Sequence, residues 1–238
     1  MKKIIFQLKE QLEEGILISR ENRFTLNISF RNKVEKAYLP NPGRLSTVLE
    51  QGRQIFCVRK NFQKRKTLLN AFAVKLNGIY ATIDSHLANS IFEQAVIKNL
   101  LPFYKNFSIE CKEKIIPEYG KIDFILKNQR GTRIFVEVKS CTHVEKGIAK
   151  FPDSPTLRGR KHLKNLIEMR KKGLNTSIVF VVQRPDAISF TPFKEIDAEF
   201  HMLLKRANIN GVIIKVFSTE FTPEGQIYLK RTEIPIRY

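Results

Sequence analysis

Ile122-Asp123-Phe124-Ile125-Leu126-Lys127-Asn128-Gln129-Arg130-Gly131-Thr132-Arg133-Ile134-Phe135-Val136-Glu137-Val138-Lys139 is the stretch that decides the fold. Two runs of β-branched, aromatic and leucine residues, Ile122 to Lys127 and Arg133 to Val138, flank a polar segment that ends in Gly131. A three-residue loop, Gln129-Arg130-Gly131, closes them into an antiparallel hairpin with glycine at the left-handed position. The register follows: 128 faces 132, 127 faces 133, and 123 faces 137. Directly opposed residues hold their Cβ atoms about 4.5–5.5 Å apart. Asp123 and Glu137 therefore stand side by side, and Lys139 shares the face of Glu137 because strand side chains alternate with a period of two.

Opposed carboxylates repel unless something positive lies between them, and a hard divalent cation takes oxygen ligands of this kind. The expectation is a site for Mg²⁺ or Mn²⁺ built on Asp123 and Glu137. Lys139 stands beside it, where an attacking water or a developing phosphate charge needs a cation. Glu93, on an upstream helix, is the candidate third carboxylate, although the spacing Ser90-Ile91-Phe92-Glu93 is also that of a helix-capping box. The competing reading is a surface hairpin whose acids pair with Lys121 and Lys139 as ordinary salt bridges.

Around this hairpin the chain reads as two domains, 1–83 and 84–238. In the first, Gly15 to Ser19, Arg23 to Phe30, Lys33 to Leu39, Gln54 to Arg59, Leu68 to Lys75 and Ile79 to Ile83 are short strand-forming runs between polar or Gly/Pro/Asn stretches. That pattern suits a small OB-like barrel, with an SH3-like barrel as the alternative. From Asp84 onward helices alternate with strands, the sign of an α/β domain. Phe92, Ala95, Val96 and Leu100 stripe a helix that ends before Pro102. Leu163, Leu166 and Ile167 stripe another, from about Thr156 to Lys172, capped by Gly173. A third lies near Asp197–Ala207. Thr176 to Val182 is continuously apolar, as in a strand covered on both faces.

The 238 residues carry 42 Lys+Arg against 23 Asp+Glu, a net charge of +19. Residues 1–80 hold 16 of those bases and only 6 of the acids, and the densest run, Arg59 to Lys66, has five bases in eight residues. A solvated loop is one explanation of such a run. The excess over the whole domain favours a polyanion, because successive phosphates reward a basic surface through counterion release. Lys60, Lys64, Arg65 and Lys66 are accordingly candidate phosphate contacts. No apolar run approaches the ~18 residues of a membrane helix. The opening Met-Lys-Lys-Ile-Ile-Phe is interrupted by Lys9 and Glu10 before it can serve as a leader, so the expected location is the cytoplasm and no membrane partner is expected. Cys57, Cys111 and Cys141 form no Cys-x-x-Cys pair; Cys141 and His143 alone are too few for a metal site.

The order of helix Glu, strand Asp and Glu-x-Lys resembles the PD-(D/E)XK nuclease superfamily. More closely, the chain resembles the sugar fermentation stimulation protein A family, through Leu39-Pro40-Asn41-Pro42-Gly43-Arg44-Leu45, Ile122 to Leu126, Val136-Glu137-Val138-Lys139-Ser140, Phe151-Pro152-Asp153-Ser154-Pro155-Thr156-Leu157-Arg158-Gly159-Arg160-Lys161-His162-Leu163, and Phe180-Val181-Val182-Gln183-Arg184. The resemblance implies an N-terminal OB-like domain, a C-terminal nuclease-like α/β domain and DNA binding. Where Ser-Arg is expected before Ile-Asp, this chain has Gly120-Lys121.

Within these segments Asn41-Pro42-Gly43-Arg44 reads as a type II turn with Gly43 at positive φ, aiming Arg44 at a phosphate or base edge. Arg158, Lys161 and His162 stand in the first turns of a helix, where basic residues oppose the helix dipole and call for an anion or a carboxylate nearby. Gln183, just past its strand, is a candidate for orienting a water. The expectation is a DNA-binding protein of low sequence selectivity with metal-dependent phosphodiester hydrolysis. The rivals are a non-enzymatic DNA-binding regulator of sugar metabolism with a vestigial nuclease fold, and an RNA-binding protein.

Overall fold

The computed structural model describes residues 3–31, 33–59 and 67–238. The candidate contacts Lys60, Lys64, Arg65 and Lys66 lie outside the described residues. After β1 (Ile4–Gln7) come β2 (Leu12–Asn22), β3 (Thr25–Phe30), β4 (Lys33–Tyr38), β5 (Gln54–Arg59), β6 (Leu69–Leu76) and β7 (Ile79–Thr82). Their order is β4-β3-β2-β5-β6-β7, and Ala37↔Leu69 and Tyr38↔Asn70 join β4 to β6 in parallel. Five strands, β2 to β6, thus close into an OB-like barrel. β3 shows why: Leu26, Ile28 and Phe30 point inward and Thr25, Asn27 and Ser29 stay partly exposed, so a period of two fills the barrel with apolar side chains.

The remaining elements are α1 (Leu87–Ile97), β8 (Phe107–Ile116), β9 (Gly120–Asn128), β10 (Arg133–Cys141), β11 (Val144–Glu145), β12 (Ile148–Phe151), α2 (Leu157–Lys171), β13 (Asn175–Val182), β14 (Ser189–Pro192), α3 (Ala198–Ile209), β15 (Ile213–Phe221) and β16 (Gln226–Arg231). A mixed sheet runs β1-β16-β15-β13-β10-β9-β8, parallel through its centre from β10 to β15. α1 packs on one face over Phe124, Val136, Val179 and Phe217. α2 and α3 cover the other over Ile125, Ile178, Phe180 and Val182. The double cover explains the unbroken apolar run of β13.

Three features differ from the sequence reading. α1 begins at Leu87, because Leu87, Ala88 and Ile91 extend its buried stripe one turn earlier, so Ser90 and Glu93 lie inside the helix and form no capping box. The entry to α1 is set by Asp84, whose Oδ1 accepts the His86 N–H at 2.8 Å. Second, β1 belongs to the mixed sheet, not the barrel: it pairs with β16, and Ile5 is fully buried in the cluster under α1. Third, Asn41 to Arg44 is not a type II turn. Asn41 Oδ1 accepts the Gly43 N–H at 2.9 Å, and the positive φ falls on Leu45, not Gly43.

Gly43 has another reason to be glycine. Asp153 Oδ2 accepts the Leu45 N–H at 3.0 Å, and a Cβ on Gly43 would lie 2.4 Å from that same oxygen. The segment 41–45 of the barrel is thereby held against the segment that leads into α2. Phe56 and Phe72 of the barrel also meet Phe221 edge-on, with ring centroids 6.5 and 5.4 Å apart. Gly43→Ala should lower stability by about 1–3 kcal/mol, the usual cost of overpacking. Chemical denaturation will show it as a lower midpoint at unchanged slope; an unchanged midpoint contradicts the close approach.

Candidate metal and nucleic-acid site

The hairpin of β9 and β10 takes the register read from its loop. Arg133↔Lys127, Ile134↔Leu126, Phe135↔Ile125 and Val136↔Phe124 are partners, which brings Asp123 near enough to Glu137 for their charges to act on each other. Asn128 fixes the loop: its Oδ1 accepts the N–H groups of Arg130 and Thr132 at 3.0 and 2.9 Å, and Gly131 takes φ of 80°. At Asp123 regular pairing stops. Its Oδ2 instead accepts the Val138 N–H at 2.8 Å, tying the carboxylate across the hairpin. Val136 and Val138 point into the cluster under α1, so alternation sends Glu137 and Lys139 to the face covered by α2.

There Glu137 is 2% exposed and meets two nitrogen groups. Lys139 Nζ and His162 Nδ1 both contact its Oε1, and they lie 3.3 Å from each other. His162 Nε2 accepts from Arg158 Nε at 3.4 Å, which assigns the ring proton to Nδ1 as a donor to Glu137. The i,i+4 spacing on α2 puts Arg158 and His162 on one helix face.

The two acids of the hairpin are treated unequally. Burial pushes the Glu137 carboxyl up, but Lys139 and His162 outweigh it and hold the group below its ordinary range. Burial pushes the Asp123 carboxyl up as well, and the neighbouring charge of Glu137 adds to that. The Val138 N–H, Lys139 and Asn89 offset only part, leaving Asp123 above its ordinary range. Negative charge at Asp123 is thus under-compensated. The donor set fits a hard divalent cation of the Mg²⁺ kind, which is commonly bound by one or two carboxylates and completes its shell with water and phosphate oxygens.

Other candidate residues lie apart from this pair. Glu93 pairs with Lys112 of β8 at 2.8 Å, and among the described residues no group of three acidic, histidine or cysteine ligands forms, so Glu93 is not brought to the hairpin acids. Gln183 is buried where barrel and sheet meet. Its Oε1 accepts the Thr82 hydroxyl at 2.6 Å, and its Nε2 donates to Ser140 Oγ at 2.6 Å and to the Asp84 carbonyl at 3.0 Å. Both ends of the amide are used, so the side chain joins the two halves. Lys121 pairs with Glu113 at 2.9 Å, not with Asp123.

The basic start of α2 is compensated by carboxylates. Arg160 pairs with Asp197 and Glu199 at 2.9 and 2.7 Å, while Thr156 caps the helix by accepting the Gly159 N–H. Arg158, Lys161 and Arg44 are exposed. His162, expected on the phosphate-binding surface, instead contacts Glu137. Asn89, which the sequence reading did not single out, reaches Asp123 from α1; a lone Asn in a helix carries no signal of such a role.

With this geometry the chain matches known families along most of its length. Residues 86–225 match the Sugar fermentation stimulation protein RE domain and residues 18–83 the SfsA N-terminal OB domain. A sugar fermentation stimulation protein homolog from Natranaerobius thermophilus is 33% identical over 97% of both chains. The chain belongs to the sugar fermentation stimulation protein family. A family member from Methanosphaera stadtmanae is 34% identical, over 94% of this chain and 95% of its own. Among solved structures, that of Pyrococcus furiosus SfsA in complex with Ca²⁺ superposes with a TM-score of 0.91 at 30% identity, covering 99% of this chain and 100% of that one.

The unequal acids make opposite predictions for stability. A carboxyl raised in the fold binds its proton more tightly than in the unfolded chain, so Asp123 costs stability as pH rises from its ordinary 3.8 through its folded value. Asp123→Asn should therefore raise the melting temperature at pH 7. Glu137, lowered in the fold, contributes stability above its ordinary 4.5 that is lost as pH falls through its folded value. Glu137→Gln should destabilise by roughly 1–3 kcal/mol, because Lys139 and His162 lose their buried acceptor charge. Thermal melts at pH 7 test both signs, and equal shifts in the same direction contradict the assignment.

Proposed function

We propose that this protein binds DNA with little sequence selectivity and hydrolyses phosphodiester bonds with a divalent cation, Mg²⁺ or Mn²⁺, held by Asp123 and Glu137. The observation that carries the reading is that one hairpin brings the carboxylates of Asp123 and Glu137 close together, Asp123 tied to the Val138 N–H and Glu137 to Lys139 and His162. The Ca²⁺ complex of the Pyrococcus furiosus relative supports a divalent ion in a chain of the same fold. A bound cation of this kind supplies Lewis acidity and a more acidic water.

The chain's own residues divide the remaining work. Lys139, beside Glu137, positions an attacking water or neutralises charge developing on the phosphate. His162 orients the Glu137 carboxylate and is itself oriented by Arg158. Exposed Arg44, Arg158 and Lys161 neutralise backbone phosphates, together with Lys60, Lys64, Arg65 and Lys66 of the basic run. A second reading, a non-enzymatic DNA-binding regulator, is favoured by one observation: Lys139 and His162 already compensate Glu137 without any metal. An RNA-binding role differs from these only in partner.

Calorimetric titration separates the readings. Wild-type protein should bind Mg²⁺ and Mn²⁺, Asp123→Asn and Glu137→Gln should not, and both variants should keep or improve DNA binding because carboxylate–phosphate repulsion is relieved. Lys139→Ala should retain the ion and lose cleavage. If the wild type takes up no metal with or without DNA, the regulator is the better account.

DNA affinity should fall with salt, log K against log[salt] having a slope of about −0.9 per phosphate neutralised on duplex. Neutralising Lys60, Lys64, Arg65 and Lys66 together should weaken all sequences alike and flatten that slope. An unchanged slope makes the run a solvated loop.

A further inference from the structure

Phe24 is 41% exposed on the short connection between β2 and β3. A single exposed apolar side chain needs no explanation, but this one is held in place and has company. Its N–H is accepted by Asn22 Oδ1 at 2.8 Å and its carbonyl accepts the Leu39 N–H at 2.9 Å, so the backbone is fixed from both sides. Tyr38 at the end of β4 lies alongside, with ring centroids 6.4 Å apart and planes within 25°. The Arg23 guanidinium stands 5.6 Å from the Phe24 ring centroid and donates through Nε to the Pro42 carbonyl at 3.0 Å.

The surroundings connect this pair to the hairpin acids. Arg20 donates to the carbonyls of Arg23, Gly43 and Arg44 at 2.9, 2.8 and 2.6 Å. The next residue, Leu45, is bound by Asp153, which precedes the helix carrying Arg158 and His162. Aromatic faces and cations are therefore mounted on one frame that runs from the barrel to the start of α2. In barrels of this type the second and third strands and the loop before them take oligonucleotides, and here those elements are β3, β4 and the connection that bears Phe24.

We propose that Phe24 and Tyr38 form a stacking platform for the bases of single-stranded nucleic acid, with Arg23 and Arg44 beside it for the backbone. The proposal rests on the nucleic-acid reading above and narrows it to a strand preference. Bases in a duplex have their faces covered by neighbouring bases, whereas an unpaired base offers its face to an aromatic ring, and such a contact is sequence-tolerant.

The chain contains no tryptophan, so Phe24→Trp introduces a single tryptophan at the platform, which can be excited selectively over the six tyrosines. The test measures fluorescence anisotropy of a labelled oligothymidylate and of a duplex of equal length with the wild type, Phe24→Ala, Phe24→Leu and Phe24→Trp. Phe24→Ala and Phe24→Leu should weaken single-strand binding about 5- to 150-fold, with duplex binding within about twofold and an unchanged salt slope. Phe24→Trp should keep single-strand affinity, and its emission should be quenched by the oligonucleotide but not by the duplex. Equal losses on both substrates, no loss on the single strand, or unquenched emission in a variant that still binds it overturns the platform. If the wild type binds neither substrate, the nucleic-acid reading itself fails and takes the platform with it.

Discussion

The site depends on an unequal division of charge across one hairpin. Its fold brings Asp123 close to Glu137, and Glu137 is held by two nitrogen groups, Lys139 from its own strand and His162 from α2. Asp123 has the Val138 N–H and Asn89, which compensate burial and like charge incompletely. A fold selected for stability alone has no need of such a pair, since burying an under-compensated carboxylate costs free energy. The arrangement is explained if a cation completes it.

The rest of the molecule holds this hairpin in place. α1 and α2 cover opposite faces of the mixed sheet, so the strand carrying Glu137 and Lys139 packs its own Val136 and Val138 into the cluster under α1 on one side and meets the helix of His162 on the other. The barrel is fastened at two points. Gln183 bonds to Thr82, Asp84 and Ser140, next in sequence to Lys139, and Asp153 grips the 41–45 segment just before α2. Both fastenings lie beside the site, which sets the exposed arginines of the barrel and of α2 on a common support.

How much of this was legible in the sequence depended on the range of the interaction concerned. Barrel strands, the α/β alternation and the hairpin register are local: a period of two, a period of 3.6 and a glycine at a loop position suffice. Glu93 was misread because a Ser-x-x-Glu spacing fits a helix start, while the true start was set by a buried stripe beginning at Leu87. Gly43 looked like a turn glycine, but the constraint is a carboxylate 110 positions along the chain. The pairing of β1 with β16 and the contact of His162 with Glu137 are long-range too, and nothing in the local pattern of either partner announces the other.

The most direct test of the central claim is the position of a bound ion. Crystals grown with Mn²⁺ and measured at a wavelength where manganese scatters anomalously should show one strong peak bridging the carboxylates of Asp123 and Glu137, lost in Asp123→Asn. A peak at Glu93 and Lys112, or none at the hairpin while Lys139 and His162 keep their hold on Glu137, would contradict it.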